Sequence, residues 1–390
     1  MRTLVVKTLE KVTGYFPKVD KYNIRMNKQG NGSGTLTVNI SSSTGPHNLL
    51  IAGGKFIVSE SEVDTVQIST AVQQFVIKLY SEQAYLYFPQ NVNIELRPTW
   101  DLVTKNSPEI DFRTFNRNFK TLNAQFSNAT LFNQNISNWD VSSITDLTLF
   151  LNNAISFNAN ISNWDVSNVT VFSNTFLKAS FFNQPIGSWN VSKATNMNSM
   201  LRESSLFNQS LSNWNVEKVT DMSNMFYLAV SFNSSIAGWN TLSLTNMNSM
   251  FRGAKVFNQS INHLKTGKVI NMLGTFRESR DFNQDISSWD VSKVTNMSFM
   301  FYDANAFNQD ISAWNFNVNV DLSSFMATKG VEYNPAYYSN LLIKLASIDW
   351  TVRSTPKVLS MGTIRYNSAG ASARATLVSN GWTITDGGQS

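Results

Sequence analysis

The sequence predicts a mixed fold in three parts. These are an all-β domain over residues 1–110, an α/β solenoid of about eight 25-residue coils over 111–330, and an α/β capping segment over 331–390. Three observations carry this reading. Phe-Asn recurs at 132, 157, 182, 207, 232, 257, 282 and 307, with a spacing of 25 residues every time. Trp follows seven residues after each Phe, at 139, 164, 189, 214, 239, 289 and 314, and Leu264 fills the remaining place. On either side of this array the period is lost and ordinary strand and helix patterns take over. A fixed period of this length is the mark of a repeat architecture.

The N-terminal part is read as strands. Thr35–Ile40 alternates apolar and polar residues, and the runs Phe75–Tyr80 and Ala84–Phe88 flank a Ser-Glu-Gln turn. Such alternation is the period of a half-buried strand, so a sandwich or barrel is expected. Gly30–Gly34 lies between strands with no Lys-Ser/Thr after it, which excludes a phosphate loop. Pro98 to about Thr121 reads as a linker and entry coil, with Leu122, Phe126 and Ala129 already in repeat register.

One coil shows the logic of the rest. Trp214 and Val216 alternate with Asn215, the pattern of a short strand. Val219, Met222, Met225, Phe226 and Ala229 step by three and four, the pattern of one helix face. A small residue recurs at the place of Ala229, where neighbouring coils approach closely. Strand plus helix per coil is a leucine-rich-repeat kind of arrangement. A single coil buries too few side chains to offset its own ordering entropy, so stacking must supply the difference.

Two columns of polar residues follow from the register. Asn133, Asn158, Asn183, Asn208, Asn233, Asn258, Asn283 and Asn308 are expected to form an internal ladder, since an amide both donates and accepts along a stack; a glycan-binding row is the weaker reading. Asp140, Asp165, Asn190, Asn215, Asn240, Lys265, Asp290 and Asn315 lie between inward positions and form the candidate binding surface. That column is short, polar and nearly uncharged in its middle. It suits carbohydrate or weak protein contact, and equally a plain solvated face.

Beyond the array, Tyr337, Leu341, Leu342 and Leu345 predict an amphipathic helix. Val358–Met361, Ile364–Tyr366, a short helix near Ala371–Val378, and Gly381–Thr385 follow it. A segment of this size and amphipathicity covers the last coil.

Composition excludes several classes. The 390 residues are 42% hydrophobic, 12% aromatic and 15% charged, which rules out a disordered chain. No run of 18 apolar residues is present, so no transmembrane helix is expected. The N-terminal segment lacks the apolar core of a secretory signal, and release without export is expected. There is no Cys, which excludes disulfides and thiolate chemistry. The net charge of +5 divides into +3 over 1–118, −1 over 119–326 and +3 over 327–390, with no basic stripe for a nucleic acid. His47 and His263 are the only histidines, and His263 is read as a turn residue. Asp140 with Asp165, and Asp285 with Asp310, occupy adjacent coils, a spacing open to Ca2+ or to a solvated face. Nothing near them raises a carboxyl pKa as glycoside hydrolysis requires.

The unit Phe282–Phe301, Phe-Asn-Gln-Asp-Ile-Ser-Ser-Trp-Asp-Val-Ser-Lys-Val-Thr-Asn-Met-Ser-Phe-Met-Phe, closely resembles the repeat of BspA-like leucine-rich-repeat surface proteins. The tail from Ala373 to Gly388 is similar to the usual close of such arrays. The resemblance covers about 115–388 and leaves 1–110 outside. It implies an extracellular binding or adhesion role, and similar repeats serve viruses and phages. The expectation is a non-enzymatic virion surface appendage that uses no cofactor or metal. It docks on other virion or surface proteins through its β domain and reads a host surface protein or glycan through the solenoid, without nucleic acid or membrane insertion. The expected location is the virion exterior, or the extracellular or cell surface. A bacterial cell-surface adhesion protein is the alternative, and a carbohydrate-active enzyme the third.

Overall fold

The computed structural model describes strand backbone within residues 2–112, and residues 122–390 apart from 123–125, 131, 134, 138 and 329–332. Twelve strands are described in the first part. They are β1 (Arg2–Val6), β2 (Val19–Tyr22), β3 (Ile24–Asn27), β4 (Gly34–Ser42), β5 (His47–Ala52), β6 (Phe56–Val58), β7 (Ser61–Val63), β8 (Thr65–Ile68), β9 (Gln73–Leu79), β10 (Tyr85–Pro89), β11 (Val92–Thr99) and β12 (Glu109–Phe112). One four-stranded sheet has the order β1-β9-β4-β11 and another the order β2-β10-β5-β8. β1 runs parallel to β9, while β4 pairs antiparallel with both β9 and β11. Pro98 and Thr99 end β11 rather than opening a linker, and β12 pairs back onto β3, just past the boundary expected at residue 110. The Gly-rich run before Gly34 and the entry segment 113–121 lie outside the described residues.

From Leu122 to Thr328 the chain repeats one coil. The helix expected in each coil is absent: among the described residues the α-helices are Pro335–Ala346 and Ala371–Ser379. Tandem turns stand in its place, and the hydrogen bonds give the reason. In the coil around Phe150, the N–H groups of Phe150, Asn152 and Ala154 close local turns onto Leu147, Leu149 and Leu151. The alternate N–H groups of Leu147, Leu149, Leu151 and Asn153 instead donate to Val171, Ser173, Thr175 and Leu177 of the next coil, at 2.6–3.0 Å. A helix would turn every N–H along its own axis and leave the coils unlinked. Pointing alternate N–H groups outward needs left-handed residues, and two places per coil supply them, such as Leu149 (φ 59°) and Asn153 (φ 56°). A left-handed non-glycine residue costs on the order of 1–2 kcal/mol, which the bond to the next coil helps to offset.

The expected strand at Trp214–Val216 is also replaced. Trp214 and Val219 donate locally to Leu211 and Val216, so this stretch is bracketed by turns. Parallel pairing is one residue wide and lies further on, linking Asp146, Val171, Asn196, Asp221, Asn246, Asn271, Asn296 and Asp321 in sequence. Inside the coils, Phe132, Phe157, Phe182, Phe207, Phe232, Phe257, Phe282 and Phe307 form one stack with centroids 5.6–6.2 Å apart. The small residues at Ala129, Ala154, Ala179, Ser204, Ala229, Ala254, Ser279 and Ala304 are all buried.

The C-terminal segment continues this stack before closing it. Tyr333 stacks on Phe307 at 6.4 Å and donates its hydroxyl to Gln309 O. Asn334 takes the next place in the Asn column and caps α1 (Pro335–Ala346) by accepting from Ala336 N–H. β13 (Val358–Ser360) pairs parallel with β14 (Thr383–Thr385), with α2 (Ala371–Ser379) between them. Met326 N–H donates to Ser360 O, so β13 receives a bond that another coil would have taken.

Candidate functional site

Polar columns recur coil after coil among the described residues, so the candidate site is built from them. The Asn column sits beside the Phe stack, exposed or half-buried rather than internal. Its bonds also differ from an amide-to-amide chain. Asn133 Oδ1 accepts the backbone N–H of Asn158 at 2.7 Å, and Asn158 Oδ1 that of Asn183 at 2.9 Å. The same contact repeats through Asn208, Asn233, Asn258, Asn283, Asn308 and finally Asn334. A second donor usually joins: Gln184, Gln209, Gln259, Gln284 and Gln309 each give an Nε2 proton to the same oxygen. Backbone N–H groups need acceptors and an amide can offer only its oxygen, so the side-chain orientation is fixed.

The eight residues of the candidate surface column are all exposed. Most are also engaged. Asp140, Asp165, Asn190, Asn215 and Asp290 accept the N–H two residues on, from Ser142, Ser167, Ser192, Glu217 and Ser292, at 3.0–3.1 Å. This is the Asx-turn geometry that selects Asp and Asn locally. Lys265 breaks it, and its N–H is taken by Thr241 Oγ1 instead. Asn315 accepts Lys344 Nζ from the capping helix at 3.0 Å, while Asn240 is simply exposed. Hydrogen bonds from Ser167 hold the Asp165 carboxyl below its ordinary 3.8. The Ser292 N–H does the same for Asp290. Both carboxylates are therefore stabilised in the ionised form. Among the described residues, no group of three or more His, Asp or Glu is placed to hold a metal ion.

One functional-looking residue has a structural duty that the sequence reading did not find. From Trp164 onward, each Trp in the column donates Nε1–H to the Ile or Leu carbonyl of the coil before it. Trp214 bonds Ile186 O at 2.9 Å, and Trp239 bonds Leu211 O at 2.8 Å. Leu264 cannot do this, and His263 beside it places Nε2 3.2 Å from Ile236 O. The signal was available as a His next to the one missing Trp. A nitrogen donor is what that position had lost.

A chain built this way is a repeat protein in which stacked coils share side-chain ladders. It belongs to the family described as Mycoplasma protein of unknown function, DUF285, which matches residues 120–239 and 229–337. No curated protein and no solved structure matches the chain. No helix among the described residues is long and apolar enough to cross a membrane.

Proposed function

We propose that this protein is a non-enzymatic surface protein, a BspA-like leucine-rich-repeat solenoid that displays its array to a host surface. In this reading it is a virion appendage, mounted on the particle by the N-terminal β region. The observation that carries the proposal is how the polar groups of the array are used. The Asn column and His263 are spent on holding coils together, and the Asx turns on shaping each coil. Asp165 and Asp290 are held ionised, which suits turn acceptors and is wrong for a general acid at neutral pH. What remains outward is a repeated, nearly neutral surface, suited to recognition.

A cell-borne version, a bacterial adhesion protein, is favoured by one observation: the matching family is described by proteins of a bacterium. Immunolabelling of intact particles and intact producer cells, with antibody raised against residues 122–390, separates the two. Label on particles supports the appendage. Label confined to the cell surface selects the adhesion protein. Label on neither, with the protein present in lysates, overturns a surface role.

A further inference from the structure

Along one edge of the stack, the residues flanking the inward Phe carry an apolar stripe. Ile155 is 37% exposed, Phe181 55%, Leu206 49% and Val256 38%. Ile155, Phe181 and Leu206 are placed side by side by the backbone, while Val256 lies two coils on, past Ser231: Phe181 N–H donates to Ile155 O, and Leu206 N–H to Ser180 O, both at 3.1 Å. On the other side of each buried Phe runs the Asn column. Its oxygens are occupied by backbone donors joined by Gln or Ser, which leaves each Nδ2 group free to donate elsewhere. Among the described residues, the Nδ2 groups of Asn183, Asn208, Asn233 and Asn258 have no protein partner.

The edge thus presents aromatic and aliphatic surface beside a row of free amide donors. It is uncharged over 155–159, 180–184, 205–209 and 230–234; charge enters only with Lys255, Arg280 and Asp281. Apolar contact combined with uncharged donors matches the chemistry of a sugar, which has C–H faces and hydroxyl acceptors. A peptide partner would find no ion pair here, and its backbone N–H groups would find few free acceptors, because the Asn oxygens are taken. The donors repeat once per coil, about 5 Å apart, close to the length of one hexose in an extended chain. We infer that this edge, rather than the Asp140–Asn315 column, binds a neutral linear glycan, one sugar per coil, across Ile155, Phe181, Leu206 and the adjoining Asn amides. The inference rests on the host-surface reading above and names its ligand class.

The test uses the full chain and titration calorimetry with neutral hexasaccharides of glucose, mannose and N-acetylglucosamine, with an anionic hexasaccharide as comparison. The variant is F181S/L206S, since Ser156 and Ser231 occupy the same place in other coils. Its melting curve establishes that it folds. A neutral hexasaccharide is expected to bind, the anionic one not, and the variant to bind about tenfold more weakly or worse. N215A, on the other column, is expected to bind as the parent does. No binding by the parent, or equal binding by F181S/L206S, overturns the inference. A parent dimer that the variant abolishes in light scattering also overturns it, because the stripe would then join two copies. Host-cell binding by F181S/L206S at the parent's level would sink the glycan edge and leave the surface role standing. Failure of the parent to bind cells at all would sink the surface role itself.

Discussion

At Ile236 the Trp column has its one gap, and a single imidazole fills it. His263→Ala would leave the Ile236 carbonyl without its side-chain donor, at a cost of about 1–3 kcal/mol in urea unfolding. Trp214→Ala removes both a buried indole and the bond to Ile186 O, and should cost roughly 3–5 kcal/mol. Asn215→Ala, which loses only an exposed Asx bond, should stay within about 1 kcal/mol. Equal effects of the two would reverse the assignment of inward and outward positions. The ionised carboxylates add a pH dependence. Asp165 and Asp290 have folded pKa values below 3.8, so the stability they contribute is present above that value and is lost as pH falls through the folded pKa. D165N/D290N keeps the turn acceptor, as Asn190 and Asn215 show, and should flatten the acid limb of melting temperature against pH.

Elements of the coil were only partly legible in the sequence. Which side chains point inward followed from the spacing of Phe, Trp and Ile, because burial alone selects those types. The backbone that joins them did not. Positions 219, 222, 225, 226 and 229 fit a helix period, yet a row of tandem turns also repeats every three to four residues and buries the same face. The difference lies in which carbonyl each N–H finds, and that is settled by the next coil, 24 residues away. Polar columns show the same limit. Eight Asn in register announced a ladder, but not that each oxygen would take a backbone proton. At the end of the array, Tyr333-Asn334 mimics Phe-Asn with a spacing of 26 from Phe307, one residue out of period, which hid it. Arg353 in the cap donates to Val318 O, Val320 O and Pro356 O at 2.6–2.7 Å. Arg353→Ala should cost on the order of 3 kcal/mol, measured as loss of melting cooperativity at this end of the array. An unchanged melt would mean that the cap is not needed to close the stack. Gly362→Ala tests the same junction, because a Cβ there would strike Ala327 O and φ is +63°.

At the scale of the whole array, each coil is held chiefly by the coils before and after it. At least four backbone bonds pass from each coil to the next in the middle of the array, as from Met222, Asn224, Phe226 and Leu228. The Phe stack and the Asn column run through the same interfaces. Stability should then behave as a sum of similar units and their contacts. A surface built so can be lengthened or shortened without changing its local chemistry. Urea unfolding of two deletions tests this most directly: one removes residues 208–232, a whole period from Asn208 to Phe232, and the other removes 208–220, about half a period. The first joins Phe207 to Asn233 and restores Phe-Asn, so it should unfold cooperatively with a modestly lower midpoint. The second puts every ladder out of register and should lose the cooperative transition. Equal damage from both deletions would contradict a stack of interchangeable coils.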